Sequence, residues 1–285
     1  MDVAIFKRWR FPVFLIAATL LAHLPALWSD FVHWDDYHVV LRNPLIQTLL
    51  FHVFKGFDPE LYVPLTFFTY QIEHALFGFH PLPYHVTNLL LHSINSLLVF
   101  RFLFVMLRSP ASAGPFDKLR TGYYEACSFI AFFGALIFAV HPLHVEAVSW
   151  ISARRDLLMT TFVLASLITF LRYRECHAER SAFQGAQTKY VLSLLFFLLA
   201  LLSKPTAVVL PFVFLFLDVE AHRRVTLTLK RLAPFFALAT LFMFINLSGQ
   251  THTNFPLNAL ETVLLAARSI MFTLQKFFLP FHLTI

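Results

Sequence analysis

Two adjacent carboxylates, Asp35 and Asp36, follow the first long apolar stretch of the chain and stand between Trp34 and Tyr37. A carboxylate at such a boundary can take a proton from an attacking hydroxyl group, which is the role of a general base. The aromatic neighbours can exclude water. The alternative is a solvated turn, because Asp is common in loops. We name Asp35 and Asp36 as the catalytic candidates, with a preference for Asp35.

Four cations are candidate ligands for a phosphate group: Arg154, Arg155, Lys204 and Arg268. Arginine offers a planar fork of donors that matches phosphate oxygens, and lysine offers a compact positive charge. Arg154 and Arg155 also precede an apolar run, where the N-terminus of a helix favours an anion. The alternative is that these side chains reach towards lipid head groups from the ends of apolar segments.

His141, His144 and Glu146 lie within six residues of one another in the motif HPLHVE. Two histidines and a carboxylate can bind a divalent metal. However, Pro142 interrupts a helix here, and the spacing of Glu146 from His144 does not put them on one helical face. We therefore prefer histidines that shape a loop through hydrogen bonds, and we expect that no cofactor is required, with a divalent metal as the alternative.

A stripe of polar residues, His85, Asn88, His92 and Asn95, recurs at spacings of three, four and three. This spacing places them on one face of a helix. Within an apolar segment such a face lies against other helices or lines a water-filled cavity. Hydrogen bonding between helices is the preferred explanation. His85 and Asn88 are kept as supporting residues of the site.

The elements that position these residues are long apolar runs. The chain has 285 residues, of which 58% are hydrophobic and 13% charged. About 20 apolar residues cross a bilayer as a helix, because a helix satisfies its own backbone polar groups in lipid. This predicts an all-α, multi-pass transmembrane helical bundle in a single domain over residues 1–285. Seven spans are predicted, at residues 11–28, 84–107, 127–140, 157–173, 190–203, 206–217 and 234–247. Whether residues 259–280 also span is left open.

Basic residues collect at alternate joints between the spans, as is typical of cytoplasmic loops. They predict a cytoplasmic N-terminus and explain the net charge of +6 without nucleic acid. The joints at residues 29–83 and 141–156, together with Lys204, then lie on the other side of the membrane. The inside joints contain Lys7, Arg8, Arg10, Arg101, Arg108, Lys118, Arg120, Arg223, Arg224, Lys230 and Arg231. All the candidate catalytic and phosphate-binding residues up to Lys204 therefore share one face of the membrane.

Residues 29–83 form the only long outside segment in this prediction. Pro64 suits the first turn of a helix, and Leu65, Phe68 and Ile72 begin an apolar face at helical spacing. The opposite face carries Gln71. Such a helix lies in the membrane interface instead of crossing the bilayer.

Four successive blocks of the chain resemble a known family. They read FVHWDDYHVVLRNPLI, YVPLTFFTYQIEHALFGFHPLPYHVTNLLLHSINSLLVF, AVHPLHVEAVSWISARRDLLMTTFVLAS and LLSKPTAVVLPFVFLFLD, and they lie within residues 28–220. The family is that of the transmembrane-and-tetratricopeptide-repeat protein O-mannosyltransferases and their bacterial relatives, which have the GT-C glycosyltransferase fold. Two departures are visible. Many eukaryotic members have Tyr-Arg-Pro-Leu where this chain has Val63 before Pro64, and the repeats and later spans do not follow, so we expect a chain truncated at its C-terminus.

The resemblance implies a membrane enzyme that moves a sugar, mannose first among the candidates, from a polyprenyl-phosphate carrier to a hydroxyl of a protein or glycan. By the same resemblance Asp35 or Asp36 is the base, and Arg154 and Lys204 lie near the donor phosphate. The expected location is the inner membrane of a bacterial cell, with the lipid bilayer as surroundings and no nucleic acid as partner. Two alternatives stay open: a transporter or lipid-handling protein without chemistry, and an inactive relative.

Overall fold

The computed structural model describes residues 3–48, 52–55, 57, 61–108, 120–178, 183–222, 225–249 and 258–280. The described residues are overwhelmingly helical, which confirms the predicted all-α class. We number the α-helices in chain order: α1 (Val3–His23), α2 (Pro64–Phe77), α3 (Pro81–Leu107), α4 (Arg120–Val140), α5 (His144–Ser149), α6 (Arg154–Ala178), α7 (Phe183–Ser203), α8 (Leu210–His222), α9 (Val225–Gly249) and α10 (Ala259–Phe278). Lys118, Arg223 and Arg224, which helped to predict the topology, lie outside the described residues.

Six described helical segments are long and apolar enough to cross a membrane: Arg10–Trp28, which is most of α1 with the 3₁₀ turn after it, and segments within α3, α4, α6, α7 and α9. They match six of the seven predicted spans. The other predicted span, residues 206–217, is a shorter apolar segment, Pro205–Val219, made of a 3₁₀ turn and most of α8. It still connects the two ends of the bundle: Lys204 before it pairs with Asp156 at the start of α6, and Asp218 pairs with Arg174 near the end of α6.

The largest core cluster lies between α6, α7, α8 and α9. Its centre is a group of fully buried aromatic rings, with Phe170 and Phe214 centroids 4.4 Å apart and Phe214 and Phe235 centroids 5.0 Å apart. Small polar residues let α6 and α7 approach, because the Ser166 hydroxyl donates to the Ser193 carbonyl at 2.7 Å. Packing of this kind is how helices associate in a bilayer, where lipid is as apolar as the side chains.

The polar stripe on α3 joins this helix to its neighbours, as the preferred explanation predicts. The Asn95 amide donates to the Leu157 carbonyl on α6 at 2.9 Å and accepts from Thr161 at 2.7 Å. His92 and His23 both place Nε2 3.0 Å from the carbonyl of Ala139, at the end of α4. Because a carbonyl accepts, both rings donate from Nε2, and one oxygen links α1, α3 and α4.

On helix α2 some polar side chains face the protein and some apolar side chains face outward, which is the reverse of the usual arrangement in a soluble protein. Gln71 and Glu73 are buried, whereas Ile72 and Leu76 are exposed. The Thr66 hydroxyl donates to the Ser203 carbonyl at the end of α7. An exposed apolar face beside the helix ends fits the predicted interfacial position.

The last described helix, α10, begins with a capping box between Asn258 and Glu261 and is exposed along its length. It contains three charged residues and is not among the six span candidates of the described chain. Its contact with the bundle includes His141, whose Nε2 lies 3.0 Å from the Phe277 carbonyl.

Candidate functional site

The candidate site is built around a turn at residues 150–153, directly before α6. Three side chains from distant parts of the chain hold this turn. Asp36 accepts hydrogen bonds from the backbone amides of Ile151 at 3.2 Å and Ser152 at 2.7 Å. The Tyr70 hydroxyl donates to the Ile151 carbonyl at 2.6 Å, and the Asn88 amide donates to the Trp150 carbonyl at 2.9 Å. The first turn of α6 is therefore fixed in position.

Asp36 is fully buried and accepts a third hydrogen bond from the amide of Val32. Three backbone donors occupy its two oxygens, which holds the first loop against the turn. A base needs an oxygen that the reacting hydroxyl can reach. This geometry gives Asp36 a structural position, and the preference for Asp35 becomes stronger.

Arg154 is also fully buried. Its Nε donates to Asn88, its Nη1 contacts Glu73 and its Nη2 donates to the Tyr84 carbonyl. The guanidinium carbon lies 4.6 Å from the ring centroid of Tyr70. Protein groups thus already satisfy most of the five donors of this side chain. In this position Arg154 joins α2, α3 and α6, and its burial and occupied donors argue against a role in binding phosphate.

Asp35 and Arg155 form a pair that solvent can reach. Arg155 Nη2 lies 3.4 Å from Asp35 Oδ2, and the two side chains are 25% and 36% exposed. The buried Nε of Arg155 has no hydrogen-bond partner in the described structure. Asp35 is therefore open to a ligand, and the 25% of Arg155 that is exposed can offer donors, whereas Asp36 and Arg154 are fully buried.

A second pair lines a cleft of about 440 Å³ beside the first turn of α6. Lys204 contacts Asp156 there, with 23% and 39% of the two side chains exposed. The walls also include His144 and Glu146, and apolar residues that include Phe138 and Leu157. Clefts of roughly 300–1,000 Å³ with a few converging polar groups are typical of small-molecule sites. Because Arg155 and Asp156 are consecutive, both ion pairs begin at the same turn.

The HPLHVE motif shapes one wall of this cleft. His141 accepts from the Leu143 amide through Nδ1 and contacts the Phe277 carbonyl through Nε2, as the loop-shaping interpretation predicts. Burial, with smaller contributions from His141 and His23, lowers the pKa of His144 to about 4. His144 is therefore neutral at pH 7. No three His, Cys, Asp or Glu side chains of the described residues converge as a metal site would require.

Other candidates fall in different places. Arg268 lies on exposed α10, and His85 is buried beneath the first loop. Sequence reasoning missed Glu73 and Asp156 as partners of Arg154 and Lys204. Asp156 could have been found from its position directly after the two arginines. Glu73 carried no such signal, since its partner is 81 residues away.

The fold and this cluster define the class: a helical membrane protein with several spans and an ionisable, partly open site at one end of its bundle. Among curated proteins the chain is similar to protein O-mannosyl-transferases. It is 35% identical to human TMTC4 over 168 residues, which is 53% of this chain and 22% of that protein. It is 29% identical to F38B6.6 of Caenorhabditis elegans over 58% of this chain and 23% of that protein. With human TMTC1 the identity is 27%, over 68% of this chain and 22% of that protein.

These similarities confirm the family resemblance. The chain spans between a fifth and a quarter of the length of these relatives. No family model and no solved structure matches the chain. The GT-C form of the bundle therefore stays a prediction, whereas the multi-pass helical bundle is observed.

Proposed function

We propose that this chain is a membrane glycosyltransferase that moves a sugar from a polyprenyl-phosphate carrier to a hydroxyl acceptor. Mannose and a protein acceptor are the first candidates, because the relatives are named protein O-mannosyl-transferases. One observation carries the proposal: two accessible pairs of opposite charge, Asp35 with Arg155 and Asp156 with Lys204, begin at one turn beside a cleft. A base and phosphate-binding cations are the groups that such a transfer needs.

In the proposed reaction the acceptor oxygen attacks the anomeric carbon of the sugar. The proton of that hydroxyl passes to the Asp35 carboxylate, and the bond from the anomeric carbon to the phosphate oxygen breaks. The electron pair of that bond leaves with the polyprenyl phosphate, so the configuration at the anomeric carbon inverts. Arg155 and Lys204 stabilise the charge that grows on the phosphate, which is where electrostatic catalysis has most effect.

The leaving phosphate is a weak base and needs no proton from a general acid. This suits a cleft in which His144, with its pKa lowered to about 4, is not a proton donor at pH 7. Glu146 and Asp156 supply carboxylates that can accept hydrogen bonds from sugar hydroxyls. We propose no metal for this chemistry.

The orientation of the chain is part of the same proposal. Alternate basic joints place the N-terminus in the cytoplasm and the site on the extracytoplasmic face. The relatives named above are animal proteins, so a bacterial inner membrane stays a prediction from the sequence. Transporters place ionisable residues near the bilayer midplane, whereas the ion pairs described here lie at the ends of the bundle.

The test is sugar release from a polyprenyl-phosphate mannose donor by the purified full chain, which needs no knowledge of the acceptor. Asp35→Asn keeps the size of the side chain and removes the base, so the rate should fall about 10²–10⁴-fold. Asp30→Asn, in the same loop and exposed, is the matched control and should keep the rate within about twofold.

No release by the unaltered chain, with mannose or with other hexoses on the same carrier, would contradict the enzyme. Sugar release by Asp35→Asn at the full rate would agree with the proposed activity but would show that Asp35 is not the base. Asp36→Asn is not an equivalent test, because loss of activity there follows from a disturbed turn at residues 150–153.

A further inference from the structure

At the opposite end of the bundle, α3 and α6 bring three arginines together, which we call the arginine patch: Arg101, Arg108 and Arg172. Arg108 Nη2 lies 3.6 Å from Glu175 Oε2, and Arg172 Nη1 lies 3.2 Å from the same oxygen. Arg101 is exposed and within electrostatic range of all three of these side chains. The patch and the candidate site are about 27 Å apart along α6, from the 18 residues between Arg154 and Arg172 at 1.5 Å each.

The charges of the patch are not balanced. Among the described residues three guanidinium groups share one carboxylate, which leaves these four side chains with a net charge of +2, and two of the guanidinium groups meet the same oxygen. Glu125, on α4 at this end, is exposed and makes no ion pair with the patch in the part of the chain that is described. The neighbouring Asp218 differs, because it is fully buried and paired with Arg174 and Arg231.

The depth of Arg101 indicates what kind of anion the patch can bind. This residue lies six positions before the end of α3, about 9 Å inside the span Pro81–Leu107. An exposed arginine at that depth extends towards the head-group region to keep its charge hydrated. Arg108 is at the end of the same helix, and Arg172 approaches from α6. All three arginines lie within the last two turns of a predicted span or directly after it, and the ends of membrane-spanning helices meet the lipid head groups.

We propose that the arginine patch binds the phosphate of an anionic lipid in the leaflet that surrounds this end of the bundle. Basic pockets between transmembrane helices bind acidic head groups in this way, and arginine suits phosphate because its fork can contact two oxygens. Glu175 keeps Arg108 and Arg172 in place and leaves donors of each free, while Arg101 adds a third positive charge and makes no ion pair of its own in the part of the chain that the structure describes.

The test measures binding of phosphatidylglycerol to the purified full chain in a neutral detergent by native mass spectrometry. Arg101→Gln combined with Arg172→Gln removes two charges and leaves the Arg108–Glu175 pair intact. Binding should weaken on the order of thirtyfold, as expected for two cations near a lipid surface. Arg10→Gln combined with Lys230→Gln is the matched control, because both residues are exposed and lie outside the patch. It should change binding less than about threefold.

If the two double variants lost phosphatidylglycerol binding equally, the proposal would be overturned, because binding would then depend on the overall charge of the chain and not on the arginine patch. Phosphatidylcholine binding as tightly as phosphatidylglycerol would overturn it as well. Displacement of the lipid by millimolar inorganic phosphate would show a site for free anions instead. Retained lipid binding in Arg101→Lys combined with Arg172→Lys would support it and separate charge from folding. None of these measurements depends on transfer activity.

Discussion

The two ends of α6 carry the same residue type in opposite circumstances. Arg154, at the first end, is fully buried and bound by Asn88, Glu73 and Tyr84. Arg172, at the other end, is 22% exposed and shares Glu175 with Arg108. Arg154 joins three helices, whereas Arg172 keeps some of its hydrogen-bond donors free. Position near a proposed site is therefore not enough to make an arginine a ligand. Whether it can bind one depends on its burial and on how many of its hydrogen-bond donors are already occupied.

The largest expected effect tests whether the two ends lie on opposite sides of a membrane. Cysteines would be placed at exposed positions of each end, as Trp34→Cys and Lys230→Cys, in a chain without Cys127 and Cys176. An impermeant thiol reagent applied from outside should label the first variant and not the second, because basic joints stay inside. Labelling of both variants from outside would show that the two ends do not lie on opposite sides of the membrane. Labelling of Lys230→Cys alone would show that the orientation is the reverse of the predicted one.

Next in size is the stability that Arg154 provides. Arg154→Ala leaves Glu73 buried without its partner, which typically costs about 3–5 kcal/mol. Arg172→Ala is the matched control and should cost less than about 1 kcal/mol, because that pair is partly exposed. Unfolding of both variants in detergent measures the difference. Similar losses would mean that burial does not distinguish the two ends.

Lys204 should matter for the donor more than for folding. Loss of a charge-assisted contact to phosphate costs roughly 1.5–3 kcal/mol, so Lys204→Ala should raise the KM for the donor about 10–150-fold. Lys204→Arg should recover most of this effect. Lys230→Ala, at the other end and exposed, is the matched control. An unchanged KM in Lys204→Ala would show that this lysine only holds Asp156.

The smallest expected effect concerns pH. The pKa of His144 falls to about 4 in the folded chain, against an ordinary value near 6.5. Between these values the unfolded chain binds more protons, so stability is complete above about pH 6.5 and declines as pH falls towards 4. His144→Gln should make that decline shallower, on the order of 1 kcal/mol between pH 7 and pH 5. Identical unfolding profiles in both proteins would contradict this.

Much of the fold could be predicted from the sequence, because apolar length determines which segments can span a bilayer. The runs that became α1, α3, α4, α6, α7 and α9 were all predicted. The segment at residues 206–217 was predicted to be short for a full span, which the structure confirms, but the 3₁₀ turn at its start was not predicted, since periodicity alone does not distinguish the two helix types in so short a run. The alternation of basic joints between the spans also predicted that Asp35, Arg155 and Lys204 lie at the same end of the bundle.

What the sequence could not predict is which member of each adjacent pair faces inward. Asp35 and Asp36 are chemically identical, and so are Arg154 and Arg155. Contacts with residues more than 60 positions away separate them: the amides of Ile151 and Ser152 bind Asp36, and Asn88 and Glu73 bind Arg154. Such contacts leave no periodic trace in the sequence.

The short apolar segment Pro205–Val219 has a consequence for the membrane itself. Five residues of 3₁₀ helix and ten of α-helix extend about 25 Å, which is less than the roughly 30 Å of a hydrocarbon core. Hydrophobic mismatch of this size compresses the surrounding lipid or tilts the helix. Where the lipid is compressed beside Lys204, its head groups come closer to the cleft. The segment by itself matches a thinner bilayer, whereas the six longer helices match one of ordinary thickness.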